Sequence, residues 1–147
     1  MRPTMQEFYD TTIAHLVKQG RRAIGKINGY PNAVCLYRQH LDTGEVLKCA
    51  AGFHIPDDLY DLGMESNGID TVLGKYPAVA EHFPAEDSSF MPGYALRNKL
   101  QDLHDNFFDE GPASDLFRVR VKRIAADFKL KPYNFETPDE VHLNSTQ

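Results

Sequence analysis

Apolar side chains recur at helical spacing near the start of the chain. Apolar positions recur from Met5 to Val17, and polar side chains occupy the other side. Thr4 and Glu7 have the spacing of a capping box, and Gly20 suits the left-handed residue just past a helix end. We therefore predict a helix over residues 5–19.

Two apolar segments further along the chain predict a β-hairpin. Residues 21–32 contain two glycines and a proline and are predicted to form a loop, whereas 33–38 and 46–51 have the composition of strands. The segment 42–44, Asp-Thr-Gly, suits a type I turn with Gly in the left-handed position. That turn pairs Leu41 with Glu45 and places Arg38 opposite Lys48.

This register gives the hairpin an apolar face and a cationic face, because side chains alternate along a strand. Cys35 and Cys49 become diagonal neighbours, roughly 7–8 Å apart at their Cα atoms, which is too far for an unstrained disulfide. The apolar face, expected on the core, carries Cys35, Tyr37, Leu47, Cys49 and Ala51. The cationic face carries Val34, Leu36, Arg38, His40, Lys48 and His54.

The rest of the chain is predicted to be mainly helical. Residues 55–60 read as a turn leading into a short helix, 70–74 and 77–83 as short helices, and 84–93 as a loop. Leu96, Leu100, Leu103 and Phe107 form the apolar stripe of a helix over 94–108. Residues 116–123 alternate like a strand, but the longer helical pattern behind Ser114 favours a helix there.

These elements predict the α+β class: an N-terminal helix, a central β-hairpin, then mainly helices packed on one sheet face. The 147 residues suit one globular domain, over 1–132, with a polar tail at 133–147. No apolar run has the length of a signal peptide or a membrane span, so we expect a cytoplasmic protein with reduced cysteines and no membrane partner.

The formal net charge of -5 hides an uneven distribution of charge. Residues 49–74 contain no Lys or Arg, whereas basic side chains concentrate between Arg118 and Lys131. A mildly acidic chain is a poor candidate for a general nucleic-acid coat. A local anion site, or a nucleic-acid contact through the basic last helix, stays open.

The cationic hairpin face is the first candidate site. Neighbouring Arg and Lys side chains bind carboxylates and phosphates, and a tyrosine nearby could stack on a ligand. The structural alternative is that the acidic segment between Asp57 and Glu65 neutralises these cations. The candidate ligand-binding residues are Arg38, Lys48, Tyr37, Tyr60 and His104.

Catalytic and metal-binding patterns are weaker. The sequence contains no CxxC or HExxH motif, so we expect no metal and no cofactor. A triad of Cys49, His104 and Asp105 is disfavoured, because adjacent residues of a helix point about 100° apart and Asp105 should not orient His104. The remaining enzymatic alternative is a small hydrolase or transferase that uses His104 with Asp57 or Glu65.

Several short motifs stand close together in the middle of the chain, and others follow in its helices. They are Cys35-x-Tyr37-Arg38, Lys48-Cys49-Ala50-x-Gly52, Ile55-Pro56-Asp57-x-x-Tyr60 and Met64-Glu65, then Leu100-Gln101, His104-Asp105 and Ile124-Ala125. This pattern resembles a group of small, mostly uncharacterised bacteriophage and prophage proteins. The chain departs from the group at Phe53, where many relatives have Cys, and at Ser66, where Gly is usual. The resemblance implies a phage origin and the cytoplasm of an infected or lysogenic bacterial host, and it implies no reaction.

The favoured expectation is therefore a non-enzymatic host-interaction or anti-defence protein. It would sequester a small anionic, nucleotide-like ligand or block a host protein. The small hydrolase or transferase and the nucleic-acid binder are the alternatives, and the sequence leaves the oligomeric state open.

Overall fold

A computed structural model of the chain describes residues 2–27, 32–85 and 92–136. These stretches contain five α-helices and two separate two-stranded antiparallel sheets, which confirms the predicted α+β class. Single-turn 3₁₀ helices cover Gly52–His54 and Leu62–Met64. The helices are α1 (Met5–Gln19), α2 (Ile69–Lys75), α3 (Pro77–Ala80), α4 (Pro92–Asn106) and α5 (Asp115–Asp127), and the strands are β1 (Ile24–Gly25), β2 (Val34–Cys35), β3 (Gln39–His40) and β4 (Val46–Leu47).

Helix α1 has the predicted bounds and the predicted caps. The Thr4 hydroxyl accepts from the Glu7 amide at 3.1 Å, and the Glu7 carboxylate accepts from the Thr4 amide at 2.8 Å. Gly20 follows the helix with a φ of 77°, in the left-handed region that favours glycine. The inner face of α1 is buried in the core through Phe8, Tyr9, Ile13 and Leu16.

Helices α4 and α5 complete a helical layer, since α1 contacts α4 and α4 contacts α5. The predicted helix over 94–108 is present, shifted by two residues. The helical interpretation of 116–123 is confirmed, because Ser114 caps α5 and the Phe117, Val121 and Ile124 side chains are buried.

Two predictions for the connecting segments need correction. Residues 57–59 form a turn and not the start of a short helix, and the next helix is only the single 3₁₀ turn over Leu62–Met64. The predicted helices α2 and α3 are present. Tyr133, placed in the polar tail by the sequence, is buried: its amide donates to the Tyr9 hydroxyl at 3.0 Å. Part of the predicted loop at 84–93, and the tail beyond 136, lie outside the described residues.

The register of the central hairpin is confirmed, although its strands are much shorter than predicted. Gln39 pairs with Leu47 and His40 with Val46, and the Leu41 amide donates to the Glu45 carbonyl at 2.9 Å. Beyond these pairs, the backbone groups of the hairpin bond to side chains and not to the opposite strand. The Glu65 carboxylate accepts from two amides at residues 37 and 38, and Gln19 bonds to both backbone groups of Lys48.

The first half of the first predicted strand belongs to another sheet. Strand β2 pairs with β1, which lies inside the segment predicted to be a loop. The Leu36 amide donates to the Ala23 carbonyl and extends this pairing. The Gln39 side chain accepts from the Ile24 amide at 3.0 Å, so it links the two sheets.

One apolar cluster joins the inner faces of the helices to the hairpin residues. It includes Tyr37, Cys49 and Ala51 from the apolar hairpin face expected on the core, with Cys35 packed at its edge. Leu47, from the same face, is buried outside this cluster. Among the residues that the structure describes, no helix has both the length and the apolar character to span a membrane.

Candidate functional site

The candidate site is built on a buried carboxylate. Glu65 lies beneath the hairpin and accepts three hydrogen bonds, from the Tyr37 and Arg38 amides at 3.0 Å each and from the Tyr60 hydroxyl at 2.7 Å. Burial, and then the hydrogen bond to Glu65, raise the pKa of Tyr60. Glu65 thereby fixes the positions of Arg38 and Tyr60 relative to one another.

Arg38 is held from the other side by the turn that follows β4. Its guanidinium donates to the carbonyls of Gly52 and Ile55 at 2.6 Å each, and more weakly to its neighbour Tyr37 at 3.3 Å. A fourth bond, of 3.1 Å, goes to the Asp57 carboxylate. The side chain is only 4% exposed, so the cation is fixed in place almost entirely by backbone oxygens.

Asp57 lies between the two predicted cations. Its carboxylate is 3.1 Å from Arg38 and 3.5 Å from the Lys48 ammonium, yet its own side chain is 86% exposed. The charges of Lys48 and then Arg38 lower the pKa of Asp57. The like-charge pair expected across the hairpin is therefore bridged by one surface carboxylate.

An open cleft of about 450 Å³ surrounds this carboxylate. The Tyr60 ring forms part of its wall, with the Arg38 guanidinium 4.8 Å from the ring centroid. The cleft thus combines cationic groups, an imidazole, an aromatic ring and an aliphatic side chain. Its lining residues are Arg38, His40, Val46, Lys48, Asp57 and Tyr60.

Two residues expected at the cationic site lie elsewhere. Tyr37 is buried, and its hydroxyl donates to the Asn67 carbonyl at 2.7 Å. His54 leaves the hairpin face and stacks on Phe8, with ring centroids 4.1 Å apart. The 3₁₀ turn at 52–54 causes this reversal, because it ends the strand alternation on which the prediction depended.

His104 does not line the cleft. It is fully buried on α4, and no hydrogen bond among the described residues joins it to Asp57 or Glu65. Its Nδ1 lies 2.8 Å from the Asp105 carboxylate, so the expectation that Asp105 could not orient His104 is wrong. The side chains bond although their helix positions differ by about 100°, because both are long enough to turn toward each other.

His104 and Asp105 belong to a network that includes a cysteine. The Gln101 amide donates to Asp105 at 2.9 Å and to the Cys35 sulfur at 3.0 Å, and its oxygen accepts from the Ala51 amide. The Cys35 sulfur lies 3.7 Å from His104 Nδ1. Three potential metal ligands, on Cys35, His104 and Asp105, thus lie within 4.8 Å of one another.

The tautomer of His104 determines what this network can do. The Ala23 amide donates to Nε2 at 3.0 Å, so Nε2 carries no proton and Nδ1 is the protonated nitrogen. A metal on Nδ1 would require the proton to move to Nε2, where it would face the Ala23 N–H. The same tautomer leaves His104 no free nitrogen with which to accept a proton from Cys35.

Cys35 itself has the character of a protonated thiol. Contact with the Cys49 thiol and burial both raise the pKa of Cys35, and nearby Asp105 raises it further. A reactive cysteine needs the opposite environment, with positive charge around an exposed sulfur. The arrangement therefore favours a structural hydrogen-bond network over a nucleophilic or metal site.

The basic residues of α5 surround an apolar centre. Val119 is 65% exposed and Leu116 57% exposed on the side of the helix opposite the buried face. Arg118 and Arg120 lie over the rings of Phe135 and Phe107. An outer face with two aliphatic side chains at its middle does not resemble a continuous track of phosphate-binding cations.

Sequence reasoning missed Val46 at the cleft and Gln101 at the buried network. Val46 could have been found, because the predicted register already placed it opposite His40 on the same face. The role of Gln101 had no signal in the sequence, since Cys35 and Ala51, two of its three partners, come from distant segments.

Comparison of the chain with protein-family models, curated proteins and solved structures gives no match.

Proposed function

We propose that this protein is a non-enzymatic binding protein whose hairpin cleft takes a small anionic, nucleotide-like ligand. The observation that carries the proposal is the position of Asp57, an exposed carboxylate held between two cations at the mouth of an open cleft. The carboxylate marks where a ligand phosphate or carboxylate would bind after displacing it.

The charges around that position favour an anion. Arg38 and Lys48 contribute two positive charges, whereas Asp57 contributes one negative charge. Arg38 is already oriented by fixed carbonyl oxygens, so binding costs little loss of side-chain freedom. A ligand that replaces Asp57 therefore meets a cation that needs no rearrangement.

The walls of the cleft suit a ligand larger than an inorganic ion. Val46 is 37% exposed and Tyr60 presents a partly exposed ring, so both can contact a flat apolar group. A cleft of about 450 Å³ lies within the usual range for small-molecule sites. These features support a nucleotide-like ligand, with its phosphate toward Lys48 and its base toward Tyr60.

The cellular role rests on the resemblance to phage and prophage proteins. A phage protein that sequesters a nucleotide-like molecule in the cytoplasm of its host can act as a host-interaction or anti-defence factor. The exposed position of the cleft is compatible with capture of a free ligand from solution.

The test is calorimetric titration of the full chain with pyrophosphate and a panel of nucleotides, alongside two lysine variants. Lys48→Met removes a cation from the cleft, and a lost charge-assisted contact of about 1.5–3 kcal/mol predicts roughly tenfold weaker binding or worse. Lys122→Met on the exposed side of α5 is the matched control, with the same change in net charge, and should bind as the parent does. Absence of heat for every ligand, or equal loss in both variants, would reject the proposal.

A further inference from the structure

The two cations of the hairpin cleft converge on one oxygen position. The same oxygen of Asp57, Oδ1, lies 3.1 Å from Arg38 Nη2 and 3.5 Å from Lys48 Nζ. A ligand that displaces Asp57 therefore meets both positive charges at one anionic group. This convergence matters for a nucleotide-like ligand, because the phosphates of a nucleotide follow one another in a chain and each carries negative charge.

The Arg38 guanidinium is held at this position by the backbone. Its Nη1 donates to the carbonyls of Tyr37 and Gly52, and its Nη2 donates to the carbonyl of Ile55. Among the described residues, the Asp57 carboxylate is the one partner of the guanidinium that is not a backbone carbonyl. Because three carbonyls fix the cation in place, it cannot follow a longer anion toward a second phosphate.

The rest of the cleft lining contains no further Lys or Arg. Beyond the two cations and Asp57, the described residues that line it are His40, Val46 and Tyr60. Arg21 does not line the cleft, and its guanidinium pairs with the Glu45 carboxylate at 2.7 Å. The cleft therefore supplies enough positive charge for one phosphate and no Lys or Arg side chain for another.

The segment that carries Asp57 does not favour added negative charge either. Residues 49–74 contain no Lys or Arg. A displaced Asp57 also stays close to the ligand, because the turn at 57–59 holds its backbone. Like charges at such separations repel one another. Each phosphate beyond the first thus meets repulsion that no cation of the cleft offsets.

We infer that the cleft selects a ligand with a single terminal phosphate, a nucleoside monophosphate, over the corresponding di- and triphosphates. This inference rests on the proposed function and narrows its class of ligand. The phosphate takes the position of the Asp57 carboxylate, where it accepts from Arg38 and Lys48 together. A longer phosphate chain adds charge but gains no further charge-assisted contact.

The experiment is calorimetric titration of the full chain with a nucleoside and its mono-, di- and triphosphate, in one adenine and one uracil series. All titrations use one salt concentration and no divalent cation, so that each phosphate keeps its full charge. In a series that binds, the monophosphate should bind at least about tenfold more tightly than the nucleoside, because only the phosphate reaches both cations. The di- and triphosphate should bind no more than about threefold more tightly than the monophosphate.

Lys48→Met provides the matched variant. It should weaken the three nucleotides by the same factor, within about twofold, because each places only one phosphate at the cations. A triphosphate that binds at least about tenfold more tightly than the monophosphate, or that loses far more affinity in the variant, would overturn the inference and leave the proposed function standing. Absence of heat with every ligand, or a nucleoside that binds as tightly as its monophosphate, would reject both.

Discussion

Arg38 has partners of two different kinds. Three of its four hydrogen bonds end on backbone carbonyls, which the fold fixes, and the fourth ends on the exposed Asp57 side chain. Only the last partner can leave without unfolding the turn. A buried arginine would ordinarily be read as structural, but here its one replaceable partner faces the cleft.

The close approach between Gly52 and Tyr37 is the basis of a stability prediction. A Cβ atom at Gly52 would lie 2.4 Å from the Tyr37 carbonyl oxygen and 2.8 Å from its Cα, and neither backbone atom can move alone. Gly52→Ala should therefore lower the free energy of unfolding by about 3 kcal/mol, the upper part of the range for overpacking. Urea denaturation followed by circular dichroism measures the change.

Gly74→Ala is the control for this substitution. Gly74 lies in α2 with no atom within 4 Å of the added Cβ. Alanine there should raise stability by up to about 1 kcal/mol, because it has the higher helix propensity. A Gly52→Ala protein as stable as the parent would contradict the described packing of the turn.

At the residue scale, the burial of a side chain was easier to predict than its hydrogen-bond partners. The alternation of the hairpin correctly placed Cys49, Leu47 and Tyr37 in the core. It could not place Glu65, because a carboxylate that accepts two backbone amides from residues 28 and 27 positions away leaves no periodic signal.

At the scale of elements, two partly buried histidines, His15 and His54, attach α1 to the segment that carries the cleft. His15 Nε2 donates to the Lys48 carbonyl at 2.9 Å, and the His15 ring stacks on Phe53. His54 Nε2 donates to the Thr12 hydroxyl at 2.6 Å, which itself donates to the Phe8 carbonyl. Burial lowers the pKa of His15 to about 4 and that of His54 to about 3.

These lowered pKa values predict that acid weakens the fold. The folded state keeps both rings neutral, whereas the unfolded chain takes up protons near pH 6.5. The contribution is therefore complete above pH 6.5 and is lost as pH falls toward 4 and 3, by up to about 1.4 kcal/mol per pH unit for each histidine. Urea midpoints measured between pH 7 and pH 5 should fall accordingly.

His54→Gln tests the assignment, since glutamine can still donate to Thr12 but does not titrate. The pH slope of this variant should be smaller than that of the parent. His40→Gln, at an exposed position whose charge is not among those that shift the pKa of His54, is the control and should keep the parent slope. An unchanged slope in His54→Gln would contradict the burial of a neutral imidazole.

Elements with local signals were predictable, and elements with distant partners were not. Helix α1 carries its own caps and periodicity, so its bounds follow from residues 4–20. The hairpin register follows likewise from its turn. The length of its strands does not follow from the turn. Gln19 and Glu65, which lie outside the hairpin, bond to the backbone amides of Lys48 and Arg38 that would otherwise pair between the strands.

At the scale of the whole molecule, the uneven charge distribution has two consequences. The acidic segment supplies Asp57 to neutralise the hairpin cations, as the structural alternative anticipated, and it supplies Asp58 and Asp61 to the surface. The basic residues of α5 remain on another face. A molecule of net charge -5 can thus present the proposed anion-binding cleft and a separate helix rich in basic residues.

The central claim is that Asp57 occupies the position of a ligand anion. Asp57→Asn should therefore strengthen binding of pyrophosphate or a nucleotide, by about tenfold, because a competing charge about 3–4 Å from both cations is removed. Asp58→Asn changes the net charge equally at an adjacent exposed position and should alter binding by less than about twofold. Calorimetric affinities of the parent and both variants at one salt concentration are the direct measurement. Tighter binding in Asp57→Asn alone is the predicted result, and equal or weaker binding in that variant would contradict the account.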